Sequence, residues 1–417
     1  MGIVYEEAAA PEAVLPRQDR ERWQAAAVRA AATLPSIAFC AELDRAPPPP
    51  SRASADRVVV LGIGGSALGA RALHEARSDA KALPMTVVDN IDPVVLEAAW
   101  RSGSPARTAW VVVSKSGTTT ETLAQWAVVR KRLRDLGASP PVHVVTGETG
   151  PLREWARADK LALHAVPEAV GGRFSVFTAA ATVPLALAGH DVAELLAGAR
   201  AVRANAAADC VAARLAALLV AAYERGRTVV TFWSYAERLR TVGAWFRQLW
   251  AESLGKRRAD GTRVGQTPVE CVGSTDQHSI QQLMVEGPRD KAVLVIAGPG
   301  AEETACPADA PGQGAGHTLQ AILEAMRRAT TAEMVRAGCP AATIRLEAWD
   351  CASLGSLLMT FLCATVVAGR LLEVDPFGQP GVEAAKAATK LLLAAKGGMA
   401  VAEIAALLGE GRALRCP

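Results

Sequence analysis

Apolar residues fall in short unbroken runs in the first third of the chain. "RVVVLG" (57–62), "MTVVDN" (85–90), "TAWVVVS" (108–114) and "VHVVT" (142–146) are rich in β-branched residues and hardly alternate with polar ones, the pattern of strands buried on both faces. The intervening segments are long enough for a crossover, so these runs predict a parallel, doubly wound sheet with helices on both faces. From about 176 to 225 the pattern is helical and no strand stands out. A second set then follows, "RTVVTFW" (227–233), "KAVLVIAG" (291–298) and "ATIRLE" (342–347). Two sets predict two related α/β domains. An Ala-rich helical start, the stiff linker "APPPPSRAS" from Ala46 and helical composition from Gly381 complete the division into 1–50, 51–190, 191–375 and 376–417. The Gly- and Pro-rich stretch Gly298–Gly316 is expected to be a loop, and a last short helix is expected to close the chain.

The bulk numbers narrow the class. A chain of 417 residues, half of them hydrophobic, has material for two full cores. A formal net charge of +3 with no basic stripe gives no sign of a nucleic-acid partner; the densest basic cluster, "GKRR" (255–258), reads as a helix end or a substrate-facing patch. The eight cysteines are scattered singly, with no C-x-x-C pair and no His/Cys cluster at metal spacing, which suits reduced, mostly buried thiols and predicts no metal. The N-terminus has no apolar secretion segment, and Glu6 spoils a myristoylation pattern at Gly2. The longest apolar helical run, from Val211, is interrupted by Arg214 and too short to cross a bilayer. The expectation is a cytoplasmic protein with no membrane partner.

Chemistry enters at "VVVLGIGGSALGARAL" (58–73), where glycines and a serine separate a buried strand from a helix. The first-turn N–H groups of a helix lack intrahelical partners and the helix dipole favours negative charge there, so the corner suits an anion. A nucleotide and a phosphorylated metabolite both fit: the glycines match a relaxed dinucleotide fingerprint, and Asp89 closes the next strand where a ribose-binding carboxylate would sit. Glycines that merely let helix and strand pack closely are the third possibility. No Gly-Lys-Ser/Thr follows, which excludes a P-loop. "VVVSKSGTTTETLAQW" (111–126) tips the balance. Ser114, Ser116, Thr118, Thr119 and Thr120 crowd five hydroxyls beside Lys115 into a strand-to-helix turn. A capping box from Thr118 to Glu121 would use one of them, whereas a monophosphate dianion uses several.

These two loops resemble the sugar-phosphate isomerase (SIS) fold. With "GGRFS" (171–175), "QLWAESLGK" (248–256), "GSTDQHSIQQL" (273–283) and "DPFGQPGVEAAK" (375–386), in this order, the chain is similar to the phosphoglucose isomerase family of the short bacterial type. The resemblance implies two SIS-type domains and reversible aldose–ketose isomerisation of glucose 6-phosphate and fructose 6-phosphate, through ring opening and a cis-enediolate. It implies no cofactor. It also implies a homodimer with shared sites, the histidine of "QHS" reaching the partner's site. A non-catalytic SIS sensor, an isomerase that also accepts mannose 6-phosphate and a dinucleotide-dependent dehydrogenase are the alternatives.

The residues suit those roles one by one. Glu252 could form an i,i+4 ion pair with Lys256; tucked among Leu249, Trp250 and Leu254 it would instead be pushed toward its protonated form, as a proton shuttle requires. The resemblance makes it the base that moves a proton between C2 and C1. Arg173, after two glycines, could anchor a loop or hold a developing enediolate without giving up a proton. His278 has the chemistry to give and take a proton near neutrality, and the resemblance assigns it to ring opening. Lys386, a helix cation by composition, becomes the ring-opening partner at O5, with Gln379 binding the substrate nearby. Phosphate contacts would come from Ser66, Ser114, Ser116, Thr118 and Thr119 and from the backbone N–H groups of Gly65 and Lys115. One departure stands out: relatives commonly have Asp in the turn where this chain has Gly378.

Overall fold

The valine-rich runs become the centres of two five-stranded sheets. In the computed structural model, which describes residues 2–8, 12, 14–45, 47–77, 81–206, 209–300 and 304–394, strand β1 (Ile3–Glu7) comes first. The first sheet takes β2 (Arg57–Leu61), β3 (Met85–Val88), β4 (Thr108–Ser114), β5 (Val142–Thr146) and β6 (Ala162–Ala165). The second takes β7 (Val229–Tyr235), a short hairpin of β8 (Lys256–Arg257) and β9 (Arg263–Val264) intervenes, and β10 (Thr267–Val272), β11 (Lys291–Ala297) and β12 (Ala341–Leu346) follow. All of this belongs to one compact unit, Met1–Pro376; Phe377–Pro417 forms a second.

The first sheet runs β3-β2-β4-β5-β6, parallel throughout. Its central strands are buried on both faces, and successive side chains serve different cores. Val58, Val60, Ala109, Val111 and Val113 pack with Ala180, Val183 and Leu187 of the helix Ala179–Ala188. Val59, Leu61, Trp110 and Val112 pack with Leu96, Trp126, Val129 and Leu152 from three helices on the other face. The second sheet runs β1-β12-β11-β7-β10, parallel except for β1, which lies antiparallel to β12 with Ile3 opposite Leu346.

Several expectations are corrected. The start of the chain is a strand before it is a helix: "IVYEE" finds its hydrogen bonds on β12, and the Ala-rich helix occupies Arg17–Ala31. "GKRR" does lie at a helix end, Gly255 capping Arg240–Leu254, and then opens the β8–β9 hairpin, with Arg258 donating to the Leu372 carbonyl (2.8 Å). Among the described residues the longest apolar helix is Cys351–Leu371, at 21 residues, and not the run from Val211. It is apolar all round because nearly every side chain along it is buried in protein. The helical stretch predicted after 176 is present as Ala179–Ala188, Val192–Ala204 and Val211–Glu224. In the second unit the turn Pro380–Val382 leads into the helix Glu383–Ala394. The predicted closing helix and Cys416 lie outside the described residues.

Candidate active site

In the first sheet the chain moves outward from β2 to β3 and then returns to the other side of β2 as β4, so its winding reverses between β2 and β4. Ligands of such sheets sit outside the carboxyl ends of the strands at that reversal. The two loops singled out from the sequence leave from it. After β2, residues Gly64–Ser66 make one 3₁₀ turn, and the helix Leu68–Arg77 follows. After β4, residues 115–119 lead to the helix Thr120–Asp135.

Hydroxyl groups divide their work in the second loop. Ser114 is fully buried and its Oγ lies 2.8 Å from Thr119 Oγ1, bracing the loop from below. Ser116 and Thr118 are exposed; Ser116 Oγ accepts from the Thr118 N–H (3.2 Å) and hydroxyl (2.9 Å). The capping box does not form. Thr119, not Thr118, is the N-cap, which puts Glu121 out of the required position, and no side chain caps the helix. Lys115 Nζ donates to the Glu168 carbonyl (2.7 Å), and burial pushes its pKa below the ordinary lysine range.

The first loop is joined to a third motif by contact of backbone on backbone. A Cβ on Gly65 would lie 2.2 Å from the Gly172 carbonyl carbon, so only glycine permits the approach. Ser175 Oγ reinforces it, donating to the carbonyls of Gly172 (2.7 Å) and Gly65 (3.3 Å). Arg173 is thereby held beside the Gly64–Ser66 turn. Its side chain is only 3% exposed, and burial pushes its pKa down while Glu252 and Asp375 oppose that shift. Its donors are directed: Nε to Ser253 Oγ (2.7 Å), Nη2 to the Pro376 carbonyl (2.6 Å) and Nη1 to Glu252 Oε2 (3.3 Å).

Glu252 lies near the end of the helix Arg240–Leu254, whose residues Leu249, Trp250 and Leu254 are fully buried. Glu252 does not share their surroundings. Its side chain is 35% exposed and faces Arg173. The ion pair with Lys256 is not made, since Lys256 Nζ turns to the Asp375 carbonyl (2.6 Å). Gln248, one turn earlier, donates from Nε2 to Glu252 Oε1 (3.2 Å) and packs against Gly64. Sequence reasoning missed Gln248 and Ser253. The i,i+4 spacing of Gln248 and Glu252 was the available signal for the first.

His278 ends the short turn Thr275–His278 beyond β10 and is exposed; no described hydrogen bond or ion pair joins it to Arg173 or Glu252. Lys386, in the second unit, pairs with Glu383 (2.9 Å), both exposed. Gln379 precedes the turn Pro380–Val382 and is exposed. Gly378 has φ +62°, a left-handed conformation that suits glycine first and tolerates Asp better than most residues, which accounts for either residue in this turn. Asp89, the candidate ribose ligand of a dehydrogenase, faces Arg71 at 3.5 Å.

A family model described as phosphoglucose isomerase matches residues 51–296. The chain is 41% identical over 350 residues to a probable glucose-6-phosphate isomerase of Haloarcula marismortui, covering 82% of this chain and 79% of that one. It is 40% identical over 368 residues to a glucose-6-phosphate isomerase of Rubrobacter xylanophilus, covering 79% and 81%. Among solved structures, a hypothetical protein from Thermus thermophilus superposes with a TM-score of 0.76 at 33% identity, covering 90% of this chain and 94% of that one. Two wound sheets, a glycine-built turn at the winding reversal and an Arg–Glu pair beside it thus coincide with similarity along most of the chain, and the chain belongs to the phosphoglucose isomerase family.

Proposed function

We propose that this chain interconverts glucose 6-phosphate and fructose 6-phosphate as a cytoplasmic enzyme of glycolysis and gluconeogenesis. The observation that carries the reading is the Arg173–Glu252 pair, held by backbone contact against the loop that begins the anion corner. Glu252 takes the proton from C2 and returns it to C1. Arg173 keeps its charge and holds the enediolate oxygen as negative charge grows there. Ser66, Ser116, Thr118 and Thr119, with the N–H groups of Gly65 and Lys115, bind the phosphate, and Ser114 contributes through Thr119. His278 and Lys386 exchange protons with the ring oxygen and its hydroxyl, and Gln379 binds the sugar; these three roles rest on the family motifs. No cofactor is required by this chemistry.

The same reading divides the chain at 51–190 and 191–375 into two SIS-type domains, flanked by 1–50 and 376–417. It makes the protein a homodimer in which His278 of one subunit serves the Glu252 of the other. Refolding Glu252→Gln and His278→Asn proteins together tests the sharing: mixed dimers regain activity if sites are shared and stay inactive if each site is built within one chain. The reaction itself is tested by a coupled assay of purified protein on fructose 6-phosphate, repeated in chelator. Activity that survives chelation is expected; inactivity on this substrate overturns the assignment.

A further inference from the structure

Beside β10, a hydrogen-bonded network fixes a segment that the chemistry above leaves unexplained. Gln277 directly precedes His278. Its Nε2 donates to Thr330 Oγ1 (2.7 Å) and Tyr235 Oη (2.9 Å), with the Met326 carbonyl at 3.4 Å. Tyr235 ends β7, and Thr330 and Met326 lie on the helix Leu319–Arg336; Tyr235 and Thr330 are both buried. Tyr235 also grips the start of the segment, because a Cβ on Gly273 would lie 2.3 Å from its ring. Asp276 ties the two ends together, accepting from the Val272 N–H (2.7 Å) and from Ser279 Oγ (2.7 Å). Gln277 thus anchors the segment to two other elements and Asp276 ties it to itself, while His278, the next residue, is left exposed.

We propose that Tyr235 and Thr330 are positioning residues for His278, acting through Gln277 to fix the direction in which the imidazole is presented. The inference rests on the ring-opening role given to His278 above. A group that must exchange protons with a ring oxygen loses rate steeply when misplaced. A turn carried only by its own backbone would let the imidazole wander, whereas two buried hydroxyls from two elements of the second sheet's layer hold the adjacent residue. Neither hydroxyl touches substrate in this scheme, so their loss should fall on ring opening and spare binding and the C2–C1 proton transfer.

The test compares a ring substrate with one that cannot close. Fructose 6-phosphate closes through its 5-hydroxyl; 5-deoxyfructose 6-phosphate lacks that hydroxyl and stays open. Tyr235→Phe combined with Thr330→Val keeps ring and volume while removing both acceptors. The expected result is a fall of about tenfold in kcat on fructose 6-phosphate, with KM and the solvent-deuterium exchange of the open analogue within about twofold of the parent. Thr330→Ser with Tyr235 intact keeps both hydroxyls and should retain the parental ratio of the two rates. A ratio unchanged in the double variant, or both rates falling together, overturns the inference. His278→Asn is measured alongside. If it shows the selective loss and the Tyr235/Thr330 variant does not, the positioning inference alone fails; if His278→Asn lowers both rates alike, the ring-opening role fails and takes the inference with it.

Discussion

The two sheets are wound alike, and each reverses beside its first parallel strand, yet their crevices are furnished in opposite ways. In the first, between β2 and β4, the loops carry glycines and hydroxyls. In the second, between β7 and β11, side chains occupy the corresponding ground. The Trp349 indole lies over Gly298, where a Cβ would meet it at 2.0 Å, and its Nε1 donates to the Pro299 carbonyl (2.9 Å). The Arg238 guanidinium sits 5.4 Å above the same ring, and Arg240 at the following helix start pairs with Glu237 (2.6 Å). Glycines and hydroxyls line one crevice and a stacked tryptophan the other. The second half instead contributes the far end of its helix Arg240–Leu254, where Gln248 and Glu252 meet the Gly64 turn and Arg173. Winding creates two crevices, and local residues decide how each is furnished.

The largest expected effect comes from removing the group that the second half lends to the first. Glu252→Gln should lower kcat by roughly 10² to 10⁴, because an amide cannot accept the C2 proton. Its oxygen can still accept from Arg173, so the melting temperature should stay near the parental value. A coupled assay and solvent-deuterium exchange at C2 read the effect; a loss below tenfold would mean that the carboxylate has been given the wrong task.

Next in size is a matched pair of glycine substitutions. Gly65→Ala forces a methyl into Gly172, and Gly298→Ala forces one into Trp349. Each should cost about 1–3 kcal/mol in stability, the range for overpacking. Activity per folded molecule should separate them. Gly65→Ala displaces the turn from Arg173 and should lose about 10- to 100-fold, whereas Gly298→Ala should stay within about twofold. Denaturant melts with kinetics on the folded fraction make the comparison, and equal kinetic losses would erase the distinction between the crevices.

What could be read in the sequence follows the same line. The central strands were legible because burial on both faces favours runs of β-branched residues, as in the three valines of β2 and of β4. The edges were not. "ALHA" contains no β-branched residue, and "TPVECV" carries a proline; both become strands because β5 and β7 supply hydrogen bonds from elsewhere in the chain. The hydroxyl loop announced itself locally, since five hydroxyls in one turn exceed what a cap uses. Arg173 and Glu252 were nameable only through motifs, and their pairing depends on Gly65 meeting Gly172 across more than a hundred residues of chain. The division of labour between Ser114, buried as a brace, and Ser116, exposed, is likewise a property of position that composition does not encode.

A smaller effect should come from Ser253, which is fully buried beneath Arg173. Ser253→Ala removes the partner of Nε and leaves the bonds to Glu252 and the Pro376 carbonyl. A hydrogen bond to a charged group is worth about 1.5–3 kcal/mol, and part of that should appear as a looser guanidinium. The expectation is a drop of roughly tenfold in kcat with KM little changed, because the contact that suffers is made to charge that develops only in the transition state. A rise in KM at constant kcat would place Arg173 on the ground-state substrate instead.

The smallest effect distinguishes the two sheets by their edges. On β5 and β6 of the first sheet, His143 Nδ1 lies 3.0 Å from His164 Nε2, while the strands of the second sheet contain no histidine. Burial, and then the neighbouring His164, push the His143 pKa down to about 4; burial lowers His164 as well. Between about 4 and the ordinary value of 6.5, the unfolded chain therefore holds more protons than the folded one, so stability rises with pH across this window and is lost as pH falls through it. Both rings are partly solvated, which limits the size. Between pH 7 and pH 5 the parent should lose roughly 2–4 °C more in melting temperature than a His143→Gln variant, whose amide does not titrate. Hydrogen exchange locates the change: after correction for intrinsic rates, amides of β5 and β6 should lose protection at pH 5 while those of β10 and β7 keep it. Parallel melting curves for parent and variant, or loss of protection in both sheets together, would show that the acid sensitivity does not start at this edge.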